Sequence, residues 1–254
     1  MVNDGVGPLD ALAAQHHELA TILDGIDDEA WQQPSRCPGW RVADVVLHLA
    51  QTDEMAVASL QGRLAEFLTE RSGGSPAATI DDGAALMVER ERDRSVAELR
   101  ERWGAASEEL LLSLRVGDTH RRVDWVAGEL SVRTLATTRL AEAWIHTGDV
   151  AAGVGLEQKT DGRLAHIARL AWRTLPYAFA RDGRELHGPV EFDLTGPGGE
   201  RWRFTPEGEP VTVVRGNGVQ LCLVAAQRVA ASATDLTASG PDGEAALSLV
   251  RTYA

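Results

Sequence analysis

The sequence predicts a mainly α protein with a smaller α+β part: a four-helix bundle over residues 1–155, then an α+β domain over residues 156–254. Three observations predict this. Four long stretches in the first part repeat apolar residues at the helical period, and three connections separate them. After Lys159 the pattern changes to short strand-like runs with turns between them. Of 254 residues, 44% are hydrophobic and 25% charged, an ordinary globular balance with enough apolar material for a core.

The elements follow in order. Residues 8–27 predict a first helix, with Leu9, Leu12, Leu19, Ile22, Leu23 and Ile26 as its stripe. His16 and His17 are adjacent, cannot both face a core, and are expected to be partly exposed. Trp31, Pro34, Pro38 and Gly39 mark a connection that ends in Cys37-Pro38-Gly39-Trp40. A second helix is expected from about Arg41 to Arg71, with His48 at the border of its apolar stripe. SGGSPAAT, residues 72–79, reads as a flexible connection, and a third helix is expected from Ile80 to Leu114. Its charged middle reads as a solvated face. Ser131 is a good N-cap for a fourth helix ending near Gly153 and Gly155. Beyond it, Leu164–Phe179 predicts a helix stopped or kinked at Pro176. Strands are expected at Val190–Leu194, Arg201–Phe204 and Val211–Arg215, with TGPGGE as a hairpin loop. Gly216–Gly218 reads as a turn, Leu221–Val229 as a helix or strand, and Glu244–Tyr253 as a last helix.

Composition limits the function. A formal net charge of −13 argues against a nucleic-acid surface, which needs clustered basic residues. Lys159 is the single lysine. No apolar run approaches the ~20 residues that span a bilayer, and the first residues lack the basic start and apolar core of a signal peptide. Cys37 and Cys222 form no CxxC pair and indicate no disulfide framework. These readings predict a cytoplasmic protein with no nucleic-acid partner and no membrane; a small-molecule substrate and a monomeric or homodimeric state are expected besides. No P-loop and no GxSxG elbow is present.

The chemistry concentrates in RLAEAWIHTGD, residues 139–149. Glu142 and His146 stand four residues apart, on one face of a helix that is apolar over most of its circumference. A buried carboxylate needs a partner, and a metal cation would serve both groups. The bland alternative is a Glu–His hydrogen bond in a polar seam. His48, with Asp44 one turn before it and Thr52 one turn after, could converge on the pair or serve as a satisfied core histidine. Three ligands with one open position is the pattern of a catalytic zinc site. Asp149, one turn beyond His146, could orient a ligand or a water. The sequence neighbours of Cys37 give it no reason for reactivity, and a structural role is expected.

PSRCPGWRVADVVLHLAQ, followed at a distance by AEAWIHTGDVA, resembles the DinB-like superfamily and, more closely, the mycothiol-dependent maleylpyruvate isomerase family of actinobacteria. The resemblance implies a DinB-like metal-binding four-helix bundle, followed by a small sterol-carrier-like α+β domain. It implies a divalent metal, usually zinc, held by the residues that match the family's ligands: His48, Glu142 and His146. It also implies mycothiol as a thiol cosubstrate, activated by the metal and added to a small electrophile. Isomerase or thiol S-transferase activity would follow. Arg228 is the position that could match the family's carboxylate-binding arginine. The alternatives are a thiol-independent metal-dependent hydrolase or cyclase/isomerase of small-molecule, natural-product metabolism, and a metal-binding module without catalysis.

Overall fold

The structure, a computed structural model, describes residues 7–72 and 79–252. Most of the connection expected at 72–79, and the end of the expected last helix at Tyr253, lie outside the described residues. The protein is mostly helical with a small sheet part. It divides into two compact units, one over Pro8–Gln158 and one from Lys159 onward.

The first unit holds α1 (Pro8–Asp24), α2 (Val42–Leu60), α3 (Leu64–Ser72), α4 (Ile80–Glu91), α5 (Val96–Arg115) and α6 (Val132–Gly153). Helices α1, α2, α5 and α6 form the four-helix bundle: α2 packs on α5 and α6, and α1 packs on α6 and α5. Leu19 and Leu23 of α1, Val45, Val46 and Leu49 of α2, Leu99 and Trp103 of α5 and Val150 of α6 meet in one core cluster around Trp31. Burying a side chain of this size contributes about 1.5–3 kcal/mol.

Two helices expected as single pieces are broken. The stretch expected over 41–71 ends its first helix at Leu60, where the Arg63 N–H returns to the Ala58 carbonyl and the Gly62 N–H to that of Ser59. This closing motif needs a left-handed residue, and Gly62 supplies it at φ +72°. The stretch expected over 80–114 breaks at residues 92–95. Ser95 caps α5 by accepting from the Glu98 N–H at 3.3 Å, and the Glu98 carboxylate accepts from the Ser95 N–H at 2.9 Å. A short pair, β1 (Arg122–Val123) with β2 (Leu130–Ser131), precedes α6 and was not expected. Ser131 caps α6 through the Thr134 N–H at 3.2 Å.

Of the two adjacent histidines, His17 is exposed but His16 is buried, contrary to expectation. The turn of α1 aims His16 inward, with its ring edge-on to Trp103 and its Nε2 3.7 Å from Asp53. Asp53 pairs with Arg139, whose Nη2 lies 3.0 Å from Asp53 Oδ1 and 2.7 Å from Thr52 Oγ1. At the start of α2, Asp44 accepts from the guanidinium groups of Arg41 and Arg92 at 2.9 and 2.7 Å.

The second unit carries a four-stranded sheet in the order β4-β3-β5-β6: β3 (Val190–Thr195), β4 (Arg201–Phe204), β5 (Thr212–Asn217) and β6 (Thr237–Ser239). Strands β3 and β5 are parallel, and the other pairs are antiparallel. Phe192 stands between Phe204 and Val214 in register, and all three are buried. Three helices accompany the sheet: α7 (Leu164–Arg181), α8 (Gly218–Ala225) and α9 (Gly243–Leu249). The helix α7 continues five residues past Pro176 instead of stopping there. Proline removes one N–H, and the burial of Ala178 and Phe179 beyond it outweighs that loss. The expected turn at Gly216–Gly218 is instead the end of β5 and the start of α8, where Asn217 caps the helix. Lys159 is exposed in the segment between α6 and α7.

Candidate metal centre

Two bundle helices and one loop build the site. Helix α2 supplies His48, and α6 supplies Glu142 and His146 on one face. The Nε2 atoms of both histidines point at the same carboxylate oxygen. His48 Nε2 lies 3.0 Å from Glu142 Oε1, and His146 Nε2 lies 3.3 Å from it. The two imidazole rings stand edge to face with centroids 4.8 Å apart. One donor atom from each of the three residues falls within 4.8 Å of the others.

The site is closed on most sides. His48 and His146 are buried, while Glu142 keeps 22% of its side chain exposed. The Trp40 ring covers His48, with centroids 5.2 Å apart. His48 Nδ1 is buried without a hydrogen-bond partner among the described residues.

Burial alone would push the Glu142 carboxyl up, but hydrogen bonds from His146 and His48 hold it well below the usual range. Burial also works to lower His146. Its hydrogen bond to Asp149 opposes this, and His146 ends well above the ordinary imidazole value. His48 moves the other way, lowered by burial. The arrangement therefore sets the His146 ring between two carboxylates, Glu142 on its Nε2 side and Asp149 on its Nδ1 side. A divalent cation would take over the positive charge those carboxylates require. Two nitrogen donors and one oxygen donor, converging and largely dry, fit such an ion.

A loop closes over the far side of His146. Its backbone is pinned by Ser35 N–H to the Trp40 carbonyl at 2.9 Å and by Arg36 N–H to the Asp149 carbonyl at 3.2 Å. Close approach needs Gly153 at the end of α6, where a Cβ would meet the Pro34 carbonyl oxygen at 2.8 Å. The loop places Cys37 Sγ 3.1 Å from Asp149 Oδ2 and 3.8 Å from His146 Nδ1. Its neighbours in sequence gave Cys37 no special setting; its neighbours in space do. The pairing with Asp149 spans 112 positions, and no local signal announces it.

The fold brings the three expected ligands, His48, Glu142 and His146, together. Arg228 belongs to the second unit, just after α8. There its Nη1 donates to the Ala226 carbonyl at 2.9 Å, and it lines a cavity of about 720 Å³ with Val224, Leu236 and Leu247. Gln227 beside it adopts φ +58°.

Comparison with known proteins adds three findings. The family model described as the mycothiol maleylpyruvate isomerase N-terminal domain matches residues 12–151. Two uncharacterized proteins of Mycobacterium tuberculosis, from strains CDC 1551 and H37Rv, are each 31% identical to this chain over 254 residues; the match covers 98% of this chain and 96% of each relative. Among solved structures, the crystal structure of the mycothiol-dependent maleylpyruvate isomerase is similar with a TM-score of 0.60 at 17% identity, covering 91% of both chains. A histidine-to-alanine mutant of that enzyme gives 0.59 at 16% identity with the same coverage. At these identities the two structures show a shared fold.

Proposed function

Because the chain belongs to the mycothiol maleylpyruvate isomerase N-terminal domain family, we propose that it is a metal-dependent, thiol-using enzyme acting on a small electrophile. The observation that carries this reading is the aim of two imidazole Nε2 atoms at one Glu142 oxygen, at 3.0 and 3.3 Å. His48, Glu142 and His146 would hold a divalent cation, with zinc the first choice for two nitrogen ligands and one oxygen ligand. When bound there, such an ion would act as a Lewis acid and lower the pKa of a thiol. The thiol is mycothiol in this reading, and the product is an isomer or a thiol conjugate.

The chain's own residues have separate tasks. Glu142 would contribute negative charge from a partly exposed position. His48 and His146 would present their Nε2 atoms to the ion. The Trp40 ring excludes water from the His48 side. Arg228 is proposed as a carboxylate-binding cation; it lines the cavity together with Ser232, Thr234 and Ser248. The enzyme is proposed to be cytoplasmic; among the described residues no helix is long and apolar enough to cross a membrane.

Elemental analysis of the purified protein tests the metal. About one divalent ion per chain, absent from His146→Ala and from His48→Ala, is the expected result. No ion after reconstitution would remove the reading. Turnover with and without mycothiol then tests the thiol. Activity that is indifferent to the thiol would favour hydrolysis or Lewis-acid isomerisation at the same centre.

A further inference from the structure

We propose that Asp149, backed by the thiol of Cys37, is the positioning group of the centre: it fixes the proton of His146 on Nδ1 and so aims the Nε2 lone pair at the cation. The inference rests on the reading of His48, Glu142 and His146 as a cation site.

Asp149 is fully buried, and a carboxylate out of water must be met by donors. Its Oδ2 has two in range, His146 Nδ1 at 2.9 Å and Cys37 Sγ at 3.1 Å. Both come from fixed positions. His146 stands three residues earlier on the same rigid helix, and Cys37 sits in the loop bonded to the Asp149 backbone carbonyl. A carboxylate only accepts, so the imidazole must donate from Nδ1. A neutral imidazole that donates from Nδ1 keeps its lone pair on Nε2, the atom that faces Glu142 and His48. The thiol, donating into the same oxygen, gives the carboxylate a second partner at a fixed place. Cys37 thus acts through Asp149 and lies on the far side of the imidazole from Glu142. Cys37, Asp149 and His146 Nδ1 also lie close enough to form a ligand trio of their own. The two arrangements compete for one ring, and the proposal commits to the Nε2 side.

Cobalt(II) is the probe, because a thiolate on cobalt gives a charge-transfer absorption that nitrogen and oxygen ligands do not. The parent is expected to bind Co²⁺ without that band. Asp149→Ala is expected to weaken Co²⁺ binding by about 10- to 100-fold. Asp149→Asn, which keeps an acceptor oxygen but loses the charge, should fall between Asp149→Ala and the parent. Cys37→Ser, which keeps a donor, should stay within about threefold of the parent, and Cys37→Ala should fall below it. Circular dichroism of the metal-free proteins checks the fold; should the alanine variant of Asp149 not fold, the asparagine variant carries the test. Parent-like Co²⁺ affinity in both Asp149 variants overturns the positioning role and leaves the cation site standing. A thiolate band that disappears in Cys37→Ala makes Cys37 a ligand and overturns the proposal. A parent that binds no Co²⁺ overturns the cation site and this inference with it.

Discussion

At the scale of single residues, the bundle spends charge inside its core. Arg139 and Asp53 are almost wholly buried and face each other at 3.0 Å. Removing one partner leaves the other charged and dry. Arg139→Leu is expected to cost about 3–5 kcal/mol in a urea unfolding experiment, and the double variant with Asp53→Leu to recover a large part of it. Asp44 behaves differently because its partners reach it from the surface. Burial raises its carboxyl, but hydrogen bonds from Arg41 and Arg92 prevail and hold it at about 2. The folded value is depressed below the ordinary 3.8, so the stabilisation is complete above about pH 4 and fades as pH falls through about 2. It amounts to at most about 2.4 kcal/mol, less what solvent screens at the partly exposed guanidinium groups. Asp44→Asn should therefore lower the urea midpoint at pH 6, and the gap to the parent should narrow at pH 3.

At the scale of elements, caps and close approaches decide where helices stop. Ser95→Ala removes the cap of α5 and should cost about 1 kcal/mol. Gly153→Ala puts a methyl group against the Pro34 carbonyl and should lower stability by about 1–3 kcal/mol, while Gly104→Ala, with open space around it in α5, should raise it by up to about 1 kcal/mol. Melting midpoints of the two variants check the opposite signs. The same features explain what the sequence made legible. The bundle helices show because each buries a continuous stripe, and Glu142 with His146 shows because four residues are one turn. The break before α5 was concealed by an apolar thread that runs through Met87, Val88, Val96 and Leu99 on both sides of it. Ser95-x-x-Glu98 was the signal that could have found it. The strands β1, β2 and β6 have two or three residues each, too few for an alternation to register. Cys37 was opaque because its setting comes from a helix more than 100 positions away. His16 was misjudged because adjacency forbids two inward histidines but permits one.

At the scale of the whole molecule, both sides of the candidate centre belong to one unit. His48, Glu142, His146, Asp149 and Cys37 all fall within Pro8–Gln158. We propose the domain boundary at residues 155–159, with the metal-binding bundle before it and the α+β domain after it. Residues 8–158 produced alone are expected to keep a helical spectrum and about one metal ion per chain by elemental analysis. Loss of the ion from that fragment would place part of its binding in the remainder of the chain. The exposed Lys159 makes the division open to chemistry without any cloning. A protease specific for lysine has one address in all 254 residues, and it stands at the head of the second unit. An amine-directed label likewise finds a single side chain, at the junction of the two units. A dye attached there would read the junction while leaving every residue of the centre untouched.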